Sequence, residues 1–127
     1  MTSPGYPGNY TTHINCVWHI KVPVKYAIAI TFDVFNFEQD KRCLFDSVEF
    51  FDGPSVNSKS VGRFCGTSKP IGVRSSLNVL TIRMKTDDTI EALGFSLRWN
   101  YTEPMLPRKL NFLNSRMYFT ILQNGSW

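Results

Sequence analysis

The sequence contains few of the side chains that carry out catalysis near neutral pH. Among its 127 residues there are only two histidines, His13 and His19, and histidine is the side chain that most readily gains or loses a proton in that range. The Gly-x-Ser-x-Gly nucleophile motif and the His-Glu-x-x-His zinc motif are both absent. Cys16 and His19 form a lone Cys-x-x-His, which falls short of a four-ligand zinc set. The chain is therefore not predicted to be an enzyme.

The sequence also lacks a basic stripe and a long apolar run. Its 14 Lys and Arg residues are scattered among 10 Asp and Glu residues, so nucleic-acid binding is not predicted. Residues 117–127, the longest charge-free stretch near the C-terminus, are too few and too polar to cross a membrane, so no membrane insertion is predicted. Residues 1–5 show no apolar segment of a signal peptide.

An odd number of cysteines occurs beside several glycosylation sequons. The cysteines are Cys16, Cys43 and Cys65, so at least one thiol has lost its partner or is free. The sequons begin at Asn9, Asn100 and Asn124. Three sequons in so short a chain, beside the cysteines, indicate an extracellular or secreted protein, or the ectodomain of a membrane protein. Since no signal peptide is visible, we expect a fragment of a larger protein.

Short alternating apolar runs, separated by turn residues, predict an all-β fold. The clearest run is residues 26–35, where Tyr26, Ile28, Ile30, Phe32 and Val34 recur at every second position and should share one face. Further strands are predicted at residues 16–22, 47–51, 59–64, 77–84 and 94–101. In the last of these, Phe95, Leu97, Trp99 and Tyr101 should point inward. Short strands without a convincing helix are typical of an antiparallel sandwich or barrel.

The composition changes after residue 102. Pro104 and Pro107 interrupt regular strand pairing, and residues 110–127 are apolar without a clean period. The prediction is one domain over residues 1–102, followed by a linker or tail over residues 103–127 that is disordered or non-native. The alternative is that the tail begins a following domain.

Five motifs follow one another along the chain. They are Ser-Pro-Gly-Tyr-Pro at residues 3–7, Cys-Val-Trp-His-Ile at 16–20, Cys-Leu-Phe-Asp-Ser-Val-Glu-Phe-Phe-Asp-Gly at 43–53, Gly-Arg-Phe-Cys-Gly at 62–66, and Thr-Asp-Asp-Thr at 86–89 followed by Gly-Phe at 94–95. Together they resemble the CUB domain family, over residues 3–101. The resemblance implies a jelly-roll-like antiparallel β-sandwich.

The resemblance also implies how the cysteines pair. Cys43 would join Cys65, and Cys16 would be unpaired, because the family usually carries an earlier cysteine before the position at which this chain begins. An edge strand is expected to be missing for the same reason. The implied bridge would close a loop of about 23 residues and stabilise the fold by roughly 3 kcal/mol. Such bridges persist in oxidising compartments.

In the calcium-binding branch of the family, the corresponding positions hold a Ca²⁺ ion. By resemblance the ligands here are Glu38, Asp46, Asp87 and a carbonyl of Thr89, or of its neighbour Ile90. Calcium takes six to eight oxygen ligands, and carboxylates from separate loops would supply both oxygen and charge. The alternative interpretation is that these are unrelated, solvated loop carboxylates.

A partner-binding surface is implied at the same place, formed by Tyr10, Glu38, Asp46 and Asp87. A Lys or Arg of a protein partner would make charge-assisted hydrogen bonds to the calcium-oriented carboxylates. The predicted function is an extracellular calcium-dependent protein–protein interaction module. Two alternatives stay open: a structural spacer that positions adjacent domains, and a carbohydrate- or glycosaminoglycan-binding module, which the modest basic excess permits.

Overall fold

The computed structural model describes residues 1–88 and 92–103. Within these residues the secondary structure consists of strands and no helix. The strands are β1 (Asn15–Lys21), β2 (Ala27–Asn36), β3 (Ser47–Asp52), β4 (Lys59–Phe64), β5 (Val73–Arg74), β6 (Val79–Lys85) and β7 (Gly94–Thr102). β7 ends where the domain boundary is predicted, and residues 104–127 of the predicted tail lie outside the described residues.

The strands form two antiparallel sheets that pack as a sandwich. One sheet has four strands in the order β1-β6-β3-β4, and the other has three in the order β5-β2-β7. The N-terminus adds a short pairing to the outer edge of β7, where Thr2 bridges to Ser96 and the Ser3 N–H donates to the Phe95 carbonyl at 2.9 Å. The predicted all-β antiparallel sandwich is confirmed.

The core lies between the sheets and is rich in aromatic rings. Leu80, Ile82 and Met84 of β6 are fully buried, as the alternating pattern predicts. The Phe32 ring of β2 meets the Phe50 ring of β3 edge-on across the sandwich, with centroids 5.8 Å apart. This contact joins the two sheets through the interior of β2 and β3, the two strands between which the loop with Glu38 and Asp46 runs.

β2 departs from simple alternation at Asp33. The register against β7 shifts between Phe32 and Val34, which is the signature of a β-bulge, where one extra residue changes which side chains face inward. Phe35 is therefore buried, whereas Val34, predicted to share one face with Ile30 and Phe32, is half-buried. The shift also brings Phe37 into the core, immediately before Glu38.

The far end of β7 is less covered than its sequence predicts. Trp99 and Tyr101 were expected to point inward, but they are 45% and 44% exposed. Tyr101 contacts the Tyr26 ring, with centroids 5.0 Å apart. Among the described residues, the N-terminal pairing along the outer edge of β7 reaches Phe95 and Leu97 but does not extend to these two aromatic residues.

One disulfide joins Cys43, in the loop before β3, to Cys65, which follows β4. The pairing implied by the family resemblance is therefore confirmed. Cys16 lies on β1, is half-buried, and is a free thiol. No helix within residues 1–88 and 92–103 is long and apolar enough to cross a membrane.

Candidate metal centre

Three carboxylates from separate loops meet at one end of the sandwich. Glu38 follows β2, Asp46 precedes β3, and Asp87 follows β6. One oxygen of each lies within 4.8 Å of the other two. Asp46 and Asp87 are neighbours because β3 and β6 are paired, with Ser47 opposite Lys85. The fold thus brings together the three carboxylates that the sequence assigned to calcium, although Glu38 and Asp87 are 49 positions apart in the chain.

Asp46 lies at the buried base of this acidic cluster. Its Oδ2 accepts a hydrogen bond from the Tyr10 hydroxyl, and its Oδ1 accepts one from the Asp87 backbone N–H at 2.9 Å. Burial raises the pKa of the Asp46 carboxyl. The two hydrogen bonds favour the ionised form and lower the pKa, but burial has the larger effect. Both bonds also fix the direction in which the carboxylate points.

Glu38 carries the unsatisfied group of the cluster. Its Oε1 is buried and has no hydrogen-bond partner, although nearly all buried polar atoms in proteins have one. Burial raises the pKa of Glu38, and the charges of Asp87 and Asp46 raise it further. A cation at this place would satisfy the oxygen and relieve the repulsion. The donor set is therefore one that fits calcium, which binds oxygen ligands and carboxylates above all.

Tyr10 supports both acids from inside the molecule. Its side chain is fully buried, and its ring stacks on Phe37 with centroids 5.3 Å apart. The hydroxyl donates to Asp46 and accepts from the Glu38 backbone N–H at 3.4 Å. Burial and the Asp46 carboxylate raise the pKa of this hydroxyl. Tyr10 therefore lies beneath the surface on which the sequence placed it, in a position to hold Asp46 and Glu38.

Replacing Tyr10 with phenylalanine should destabilise the calcium-free protein by about 2 kcal/mol, since hydrogen bonds to charged groups are worth roughly 1.5–3 kcal/mol. The ring and its packing on Phe37 are retained, so the loss reports the hydroxyl. Urea unfolding in the presence of a chelator would measure it. Tyr101→Phe is the matched control, because the Tyr101 ring is half exposed, and it should cost less than about 0.5 kcal/mol. Equal losses in the two variants would contradict the role given to Tyr10.

Asp40, which the sequence interpretation missed, organises the loop between Glu38 and Asp46. Its Oδ1 accepts from the Arg42 N–H at 2.9 Å, and its Oδ2 accepts from the N–H groups of Leu44 and Phe45 at 2.8 and 3.1 Å. Burial opposes ionisation of this carboxyl, but the backbone N–H groups outweigh it and lower the pKa of Asp40. The available signal was an Asp at the start of a short loop, where its side chain commonly caps backbone N–H groups.

The other predicted site residues are the carbonyl ligand and the glycosylation sequons, and some of them fall outside the described residues. Thr89 and Ile90, the candidates for a carbonyl ligand, are not among the described residues, and neither is Asn124. Asn9 is exposed although the adjacent Tyr10 is buried, and Asn100 is exposed on β7. Both of these sequons are therefore accessible to a glycan, and the Asn9 side chain points away from the interior that Tyr10 occupies.

Comparisons of sequence give a consistent family. The CUB domain family matches residues 1–99. The chain is 40% identical over 95 residues to Tolloid-like protein 2 of Homo sapiens, an alignment that covers 75% of this chain and 9% of that protein. It is 34% identical over 100 residues to cubilin of Canis lupus familiaris, covering 79% of this chain and 3% of cubilin. The chain thus spans less than a tenth of the length of these relatives.

Comparisons of structure agree. The CUB1-EGF-CUB2 region of human MASP-1/3 superimposes with a TM-score of 0.75 at 24% identity, covering 87% of this chain and 43% of that one, and shows the shared fold. The MASP-1 CUB2 domain bound to Ca²⁺ superimposes with a TM-score of 0.70 at 26% identity, covering 79% and 88%. The extracellular region of zebrafish Gpr126/Adgrg6 gives a TM-score of 0.72 at 28% identity, covering 81% of this chain and 13% of that one.

Proposed function

The chain belongs to the CUB domain family, and from this premise we propose that it binds one calcium ion and uses it to recognise a protein partner. CUB domains are protein-interaction modules of extracellular proteins and are generally non-catalytic, and the predicted extracellular location is confirmed. The observation that carries the proposal is the buried, unpaired Oε1 of Glu38 in a cluster with the carboxylates of Asp46 and Asp87.

In this proposal Glu38, Asp46 and Asp87 hold the ion, and a carbonyl at Thr89 adds a further oxygen. Calcium would hold together three like charges that otherwise repel one another. It would also connect three loops that are far apart in the sequence, and so make the end of the sandwich rigid. The calcium-bound CUB2 domain of MASP-1, 26% identical to this chain, supports the choice of ion.

The proposed partner presents a Lys or Arg side chain to this site. The three carboxylates carry one more negative charge than calcium neutralises, so a cationic side chain is attracted. A hydrogen bond from an ammonium or guanidinium group to a fixed carboxylate is among the stronger polar contacts. Tyr10 contributes by holding Asp46 and Glu38 in place, and an Asn9 glycan would extend from the exposed side of the same segment.

The proposal is tested with a random peptide library displayed on phage. The full chain is immobilised, the library is bound in millimolar calcium, and phage are eluted with EDTA. We expect the eluted peptides to be enriched in Lys or Arg. Removal of calcium by EDTA leaves the carboxylates that bind these side chains no longer held in place, so the peptides dissociate. Asp87→Asn, which keeps the shape of the side chain but removes its charge, is the matched control and should yield no enrichment.

Two outcomes would favour the alternatives. Calcium binding without any EDTA-dependent peptide would support a structural spacer. Retention of the chain on immobilised heparin that survives EDTA would support a glycosaminoglycan-binding module. The first result, obtained with protein that binds calcium normally, contradicts calcium-dependent recognition of a basic side chain.

A further inference from the structure

Two large apolar side chains are exposed in the loop that leads into Asp46 of the acidic cluster. Leu44 is 59% exposed and Phe45 is 51% exposed, and they precede the buried Asp46 in the chain. Exposed apolar residues are ordinary when they occur singly. In the part of the chain that the structure describes, however, these are the one pair of exposed large apolar residues that are adjacent in sequence. This apolar pair is adjacent in the chain to Asp46, a proposed calcium ligand.

The apolar pair is held in a fixed position. Both backbone N–H groups donate to the same oxygen of Asp40, and Cys43, just before the pair, is joined to Cys65. The Cys43 backbone adopts the left-handed conformation with φ of 54°, which few residues other than glycine adopt. A preorganised surface loses little conformational entropy when a partner binds. The loop backbone that carries the two apolar side chains is therefore preorganised.

We propose that the apolar pair receives an apolar side chain of the partner, located within two positions of the Lys or Arg that enters the calcium site. This inference rests on the proposed function and specifies its partner. Consecutive Cα atoms are about 3.8 Å apart, so Phe45 and Leu44 lie one and two such steps from Asp46. A partner segment has the same spacing, so a residue one or two positions from its basic residue reaches the apolar pair.

The charges of the loop restrict the partner further. Lys41 and Arg42 are exposed and immediately precede Cys43. A second basic residue of the partner near the apolar pair would meet like charges, and like-charge contacts are a common means of rejecting wrong partners. The favoured segment therefore has a single Lys or Arg beside an apolar residue and not a run of basic residues.

The test uses the EDTA-eluted phage peptides together with synthetic variants of one of them. We expect Lys or Arg to be accompanied, within two positions, by Leu, Ile, Phe, Trp, Tyr, Met or Val. Replacing that apolar residue with serine should weaken binding to the full chain roughly tenfold, measured by calorimetry in calcium. The Leu44→Ser/Phe45→Ser variant should weaken binding of the unmodified peptide by a similar factor. Combining both changes should add little more, because each removes the same contact.

Matched controls distinguish failure of this inference from failure of the proposed function on which it rests. Ile71→Ser/Leu77→Ser removes two apolar residues elsewhere that are even more exposed than Leu44 and Phe45, and it should leave peptide affinity unchanged. Calcium titration of Leu44→Ser/Phe45→Ser should match the unmodified chain, which verifies an intact site. Enrichment of Lys or Arg without apolar neighbours, additive effects of the two changes, or unchanged affinity in Leu44→Ser/Phe45→Ser would overturn the inference alone. Absence of any EDTA-dependent Lys or Arg enrichment would overturn the proposed function as well.

Discussion

Asp46→Ala is expected to lower calcium affinity by about a hundredfold or more, which corresponds to about 2.7 kcal/mol. Asp46 is the one acid of the cluster that is fully buried, and it is oriented by Tyr10 and by the Asp87 backbone. The substitution removes a charged ligand and leaves both donors without their acceptor. Extracellular calcium modules bind with dissociation constants on the order of 0.1–1 mM, so calorimetry should detect no binding by the variant at ordinary concentrations.

Two further variants make this result specific. Asp46→Asn retains the size of the side chain and one oxygen, and should also lose most of the affinity because the charge is gone. Asp33→Ala removes a carboxylate on β2 that is half exposed and paired with Arg98, and calcium affinity should be unchanged. If Asp46→Asn and Asp46→Ala both bound calcium like the unmodified chain, Asp46 would not be a ligand.

Replacing Cys43 and Cys65 together with alanine is expected to reduce the free energy of unfolding by about 3 kcal/mol, because the bridge restricts the unfolded chain over a loop of roughly this length. The separation of the two cysteines is 22 residues. For a domain of about 100 residues such a loss lowers the melting temperature by more than about 10 °C. Urea and thermal unfolding in the presence of a chelator measure it, since calcium binding would otherwise add to the stability.

The free cysteine supplies the control. Cys16→Ala removes a half-buried thiol that makes no bridge, and it should cost less than about 1 kcal/mol. A loss of similar size in Cys16→Ala and in the Cys43→Ala/Cys65→Ala variant would mean that the bridge itself adds nothing. A second effect is expected in the bridge variant alone: calcium affinity should fall, because Cys43 anchors the loop that leads into Asp46.

Most strands could be predicted because apolar and polar residues alternate with a period of two in the sequence of a half-buried strand. β6 shows this directly, since Leu80, Ile82 and Met84 are buried as the alternation requires. β5, with two residues, is too short to display any period and was missed. The bulge at Asp33 was missed because the alternating pattern assumes one residue per position in the strand, and nothing in the sequence marks the extra residue of a bulge.

The exposure of a side chain depends on what lies across from it, which local pattern does not encode. Glu49 points away from the core of the sandwich and is nevertheless buried, because Arg63 and Arg83 lie against its carboxylate at 3.3 and 3.5 Å. Trp99 shows the reverse case, since it follows the inward alternation of β7 but lies where little of the described chain covers it.

The candidate site was predicted from spaced motifs, and its three acids do converge. The resemblance placed Tyr10 near the acids and on the partner-binding surface, but it gave no sign that the hydroxyl holds Asp46 from beneath that surface. Asp40 was not singled out because its role depends on three backbone N–H groups that a turn brings to it. The types of the residues do not indicate where these N–H groups lie in the folded loop.

The direction of β7 decides how the domain can be tethered. Thr102 pairs with Ala27 at the start of β2, whereas Glu38 follows the other end of that strand, about 30 Å away at roughly 3.3 Å per residue. A linker or a capture tag joined directly to Thr102 would therefore leave from the end opposite to the acidic cluster. Copies arrayed on a surface through that end would all display the cluster outward. Weak single contacts could then add up to strong attachment through avidity.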